Sequence, residues 1–93
     1  MIFDAATKKR LRADAHQIKP VVMIGQQGYT AVVAAAIDEA LVDHELIKVR
    51  LRGIERDRRK NVMADICRDL DAEFVALIGT VATLYRARPK KDD

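Results

Sequence analysis

Residues Val21 to Ile37 read VVMIGQQGYTAVVAAAI. A wholly apolar run, Val21–Ile24, meets Gly25-Gln26-Gln27-Gly28, and an apolar-rich segment follows. A short apolar run bounded by turn residues has the length of a buried strand. Thr30 stands where a helix needs an N-cap, and the helix is expected to run to about Val42. That segment is apolar on most sides, with Asp38, Glu39 and Asp43 marking its wet face, so it is expected to be largely buried.

The flanking segments extend this strand–loop–helix unit in both directions. Upstream, Thr7 can cap a helix through about Gln17, with Leu11, Ala15 and Ile18 on one face. Lys19-Pro20 ends it, because the residue before proline is pushed toward extended geometry. Downstream, ELIKVRLR alternates, with Ile47, Val49 and Leu51 pointing one way and Lys48, Arg50 and Arg52 the other. Period two identifies a strand. A helix between two strands predicts a right-handed parallel crossover.

Gly53 breaks the pattern. A third helix is expected from about Glu55 or Asp57 to Leu70, with Val62, Met63, Ile66, Cys67 and Leu70 as its apolar stripe. Its first half, ERDRRK, is entirely polar and is expected to reach into solvent. EFVALI and VATLYR read as two strands joined by a Gly79-Thr80 hairpin turn with glycine first. RPKKDD is a charged tail. The order α-β-α-β-α-β-β predicts an α/β two-layer sandwich with a mixed four-stranded sheet.

The chain has 93 residues, enough for one domain, with a core expected over about 7–88. Hydrophobic residues make up 49% and charged residues 33%, a globular balance. No apolar run approaches the roughly 20 residues of a membrane span, and MIFDAATKKR lacks the apolar run of a secretory signal. The single Cys67 has no cysteine partner for a disulfide or zinc site. A cytoplasmic setting is expected.

Net charge is +3, from 17 Lys+Arg against 14 Asp+Glu. The distribution says more than the sum. Basic residues gather in KKRLR (8–12), KVRLR (48–52), RDRRK (56–60) and RARPKK (86–91), and acidic residues in 38–45 and 65–73. Such segregation gives a strong local positive field at low net charge.

Catalysis needs converging acid, base, nucleophile or metal, and the sequence offers no such set. His44 sits near a helix end, where a cation-capable residue suits the dipole. His16 lies beside Arg12 and could touch phosphate. Cys67 falls on an apolar stripe and reads as a core residue. Neither metal nor cofactor is called for, and no small-molecule substrate.

The loop itself offers backbone N–H donors. It ends a strand and opens a helix, so free amides and the positive dipole end point the same way. Two glycines remove side-chain bulk. An anionic polymer can lie there, as RNA backbone lies on the Gly-x-x-Gly loop of KH domains. Lys48, Arg50 and Arg52 are either a solvated strand face or a phosphate-binding row. Lys8, Lys9 and Arg12 are likewise either a solvated helix face or part of that field. Tyr29 could stack on a base or ribose, or could be a half-buried packing residue.

IKPVVMIGQQGYT, HELIKVRL and LIGTVATLYR, in this order and spacing, resemble the YhbY-like family of small bacterial proteins over roughly residues 7–88. Its fold is the CRM (chloroplast RNA splicing and ribosome maturation) domain. The resemblance implies a KH-like RNA-binding module, similar in topology to the C-terminal domain of a bacterial translation initiation factor. It implies association with precursors of the large ribosomal subunit. Gly25, Gln26, Gln27 and Gly28 match the family's RNA-contacting loop, and Lys19 and Pro20 its entry. Lys48 matches the lysine of its strand motif, and Arg86 the arginine after its tyrosine.

The combined expectation is a non-enzymatic protein, monomeric when free, that binds ribosomal RNA during large-subunit assembly. The alternative is a protein-interaction module that binds a ribosomal protein or assembly factor through the polar half of the third helix.

Overall fold

The computed structural model describes residues 4–88. The expected tail at 89–93 lies outside the described residues. The elements are α1 (Ala5–Ala15), β1 (Pro20–Ile24), α2 (Ala31–His44), β2 (Leu46–Leu51), α3 (Arg56–Leu70), β3 (Glu73–Ile78) and β4 (Val81–Tyr85). The chain is α/β, and its four strands form one mixed sheet in the order β1-β2-β4-β3. β1 and β2 are parallel, as the intervening helix requires. β4 runs antiparallel to both β2 and β3. Ile78 pairs with Val81, leaving Gly79 (φ +58°) and Thr80 as the hairpin turn.

Side-chain alternation along β2 assigns the two faces of the sheet. Ile47, Val49 and Leu51 are buried in one cluster with Ile37 and Leu41 of α2 and Met63 and Ile66 of α3. α2 and α3 therefore cover that face. Lys48 points the opposite way and shares a small cleft with Arg12, Ala15 and His16 of α1 and with Ala76 and Thr83. α1 packs against β2, β3 and β4, so it lies across the second face, with Leu11 and Ala15 buried beneath it.

Several local expectations are corrected. Asp4, not Thr7, caps α1: its Oδ1 accepts the Thr7 N–H at 2.7 Å. That bond holds the Asp4 carboxyl below its ordinary range, and the helix stops at Ala15 rather than Gln17. β1 is not a fully buried strand. It lies at the sheet edge, with Val21 51% and Met23 53% exposed. A continuous apolar run does not distinguish a central strand from an edge strand with one covered face. α2 is not largely buried either: Ile37 and Leu41 alone are buried, and Val32 is 80% exposed. Its packing is against β1, β2 and α3, with Arg86 and Arg88 after β4 bonded to its Asp38 and Val42 carbonyls. In α3, Arg59 folds back rather than reaching into solvent. Its Nε donates to Ile54 O (3.0 Å) and its Nη1 to Gly79 O (3.2 Å).

Candidate nucleic-acid interface

Ile24 closes β1 as a fully buried anchor, and the chain turns immediately. The Gly28 N–H donates to Gly25 O at 2.9 Å, closing a four-residue turn. Gly28 has φ +76°, a conformation that a side chain resists. Thr30 then caps α2, its Oγ1 accepting the Val33 N–H at 3.2 Å. The Ala31 and Val32 amides have no protein acceptor among the described residues. They sit at the positive end of the α2 dipole, beside the loop, in the arrangement that favours an anion.

The two loop glycines differ. No atom lies within 4 Å of a Cβ built on either one. Gly28 is needed for its backbone angle. Gly25 has no positive φ and no close neighbour, so nothing in the fold requires glycine there. The space beside Gly25 is open to something outside the chain.

The loop belongs to a rim formed by three connections. Arg52 N–H donates to Ile24 O (2.8 Å), and Leu51 N–H to Thr80 O (2.6 Å). These bonds set the β2–α3 turn between the glycine loop and the β3–β4 hairpin. Gly53, at φ +78°, lies directly against Gln26. Between the loop and α3 opens a cleft of about 490 Å³, lined by Gln26, Gln27, Gly28, Gly53, Arg58 and Asp65 among others.

Tyr29 is half-buried and packs against the core cluster, and its hydroxyl donates to Asp69 Oδ2 of α3 at 3.1 Å. Burial first, and the Asp69 bond second, raise its pKa above the ordinary tyrosine value. The ring braces the start of α2 against α3, although one side still lines the cleft.

The cations named from sequence separate into three places. Arg52 stands exposed on the rim, next to the loop. Lys48 and Arg12 line the cleft under α1 with His16, while Lys8 and Lys9 lie earlier on the same helix. Lys19 and Arg50 share a groove along β1 with Val21 and Met23. Lys19 is thus at the end of β1 away from the loop. Arg86 is in none of these places. Its Nη1 reaches Asp38 Oδ1 and Leu70 O, both at 2.8 Å, and its Nη2 reaches Asp38 O at 3.2 Å. It ties α2 to α3 on the far side from the sheet-face cations.

Sequence reasoning missed three residues that shape or support the rim. Arg58 was visible only as one of a run of charges, and its placement on the cleft is tertiary. Asp69 lies 40 residues from Tyr29, with no local signal linking them. Gly53 carried a signal: glycine immediately after a strand often marks a positive φ.

The CRS1 / YhbY (CRM) domain family matches residues 4–86. A Pseudomonas aeruginosa protein named "Probable RNA-binding protein PA4753" is 40% identical over 83 residues, covering 89% of this chain and 80% of that protein. A Haemophilus influenzae protein named "RNA-binding protein" is 42% identical over 79 residues, covering 85% and 80%. The solution structure of the Staphylococcus aureus protein SAV1595 superimposes with a TM-score of 0.84 at 28% identity. The superposition covers 98% of this chain and 95% of that one.

Proposed function

We propose, given that the chain belongs to the CRS1 / YhbY (CRM) domain family, that it is a non-enzymatic RNA-binding protein acting on ribosomal RNA of large-subunit precursors. The observation that carries this reading is Gly25, a glycine that the fold does not need, in open space at the mouth of a helix N-terminus. The loop and the free Ala31 and Val32 amides seat one phosphate. Arg52 and Arg58 flank that seat along the rim. Lys48, Arg50, Arg12, Lys8, Lys9 and Lys19 extend the positive field over the other sheet face. Recognition by backbone and shape follows from a scarcity of aromatic side chains, 4% of the chain.

Crosslinking in cells followed by sequencing of the attached RNA tests the reading. Reads concentrated in large-subunit ribosomal RNA are expected. Reads spread over messenger RNA would overturn the ribosomal assignment, and an absence of crosslinked RNA would overturn RNA binding itself.

A further inference from the structure

The first half of α3 carries a second cationic recess on the side away from the glycine loop. Arg56, Arg59 and Lys60 line it together with Leu77 of β3 and Gly79 of the hairpin, around a volume of about 450 Å³. No carboxylate lines it, and none of these cations forms an ion pair among the described residues. Arg56 and Lys60 are four apart on one helix, where like charges repel. All three stand in the first turns of α3, where cations oppose the dipole. Asp57 in that turn and Glu55 at the N-cap offset part of this cost, but neither carboxylate lines the recess.

Arg59 shows the recess to be organised. Two of its nitrogens are held by the Ile54 and Gly79 carbonyls, so the guanidinium is fixed between α3 and the hairpin turn. Its Nη2 has no protein acceptor among the described residues. A fixed guanidinium flanked by two further cations suits a phosphate oxygen.

We propose that this recess is a second phosphate seat, which takes the RNA backbone after it has crossed the rim from the glycine loop. The proposal rests on the RNA-binding reading above. The β2–α3 turn joins the two seats, and the hairpin turn that closes the second seat is bonded to β2 through Leu51 N–H and Thr80 O. One strand of RNA can therefore engage both, and its affinity rises with length until it spans them.

The test compares the full chain with the double variant Arg56→Gln/Lys60→Gln, leaving Arg59 in place because it holds the hairpin. Binding of single-stranded RNAs of about 4 to 16 nucleotides is titrated against salt. The double variant is expected to lose the affinity gained with length, and to lower the log–log salt slope by about 0.7 for each phosphate that it no longer neutralises. Arg68→Gln is the control. Arg68 is paired with Asp65 and Asp69 and lines neither recess, so its slope should stay unchanged.

A double variant with the native length gain and slope overturns the second seat and leaves the loop reading standing. An equal loss in Arg68→Gln overturns it as well, since net charge alone would then explain the effect. A native chain that binds no RNA of any length overturns the reading beneath it and the seat together.

Discussion

Gly53 lies so close to Gln26 that a Cβ in place of its α-hydrogen would stand 3.1 Å from the Gln26 Cγ. The turn opening α3 is therefore fitted against the glycine loop, and its backbone is left-handed at φ +78°. Gly53→Ala is expected to lose about 1–2 kcal/mol of stability from that backbone angle alone. It should also shift the loop through Gln26, since the flexible side chain must move. Gly53→Asn, which tolerates positive φ better, should recover part of the stability but not the loop position. Urea unfolding of the two variants, beside their RNA affinities, separates the two effects.

The two loop glycines call for different tests. A Cβ at Gly25 meets no atom within 4 Å, and the backbone there has no positive φ, so the melting temperature of Gly25→Asp should match the native value. Its carboxylate would face the phosphate seat. Two unit charges 4 Å apart interact by about 4 kcal/mol at an effective dielectric of 20, and after screening a loss of RNA affinity of about tenfold or more is expected. Gly28→Asp should lose affinity and stability together because of its φ of +76°. Equal affinity of Gly25→Asp and the native chain in a filter-binding titration would remove the loop from the interface.

Arg86 is tied into the fold by its own hydrogen bonds. It holds a side-chain carboxylate and two backbone carbonyls across α2 and α3. Arg86→Gln is expected to lower stability by about 1–2 kcal/mol, within the range for hydrogen bonds to charged groups once partial exposure is allowed for. Arg86→Lys should not restore it, because one ammonium cannot replace the planar fork. The salt slope of RNA binding should stay unchanged in both variants. A lowered slope would return Arg86 to the RNA-contacting set that the family resemblance implied.

Cys67 is half-buried against the core, and burial, with Glu73 adding to it, pushes its thiol from the ordinary 9.0 up to about 11. The folded chain thus holds the proton more tightly than the unfolded one. The associated stability is complete below about pH 9 and is lost as pH rises through about 11. Alkylation of Cys67 at neutral pH should be slow, should accelerate toward pH 11, and should be fast in denaturant at any of these values. Rapid neutral labelling of the folded chain, followed by mass spectrometry, would contradict this burial.

Local signals in the sequence carried much of the architecture. The alternation of Ile47, Val49 and Leu51 with Lys48 and Arg50 identified β2 and its two faces, because period two is a property of the strand itself. Pro20 and Gly79-Thr80 marked their boundaries for the same reason: ring closure and positive φ are local constraints. The edge position of β1 was not legible, since VVMI is apolar whether one face is covered or two. Nor was the sorting of the cations. Arg86 reads like Arg52 in the sequence, but its partners are Asp38 and Leu70, 48 and 16 residues away. Only the packing of α2 beside α3 gives Arg86 these partners.

The open edge of β1 bears on how the molecule behaves in a crowded solution. An unpaired strand showing Val21 and Met23 is a template on which another copy could pair. Pro20 withholds one N–H from that edge, and Lys19 and Arg50 set like charges beside it. Repulsion over such distances fades when the Debye length falls to about 3 Å at 1 M salt. Salt raised toward 1 M therefore lowers this barrier to self-association, so light scattering by the purified protein should rise with ionic strength.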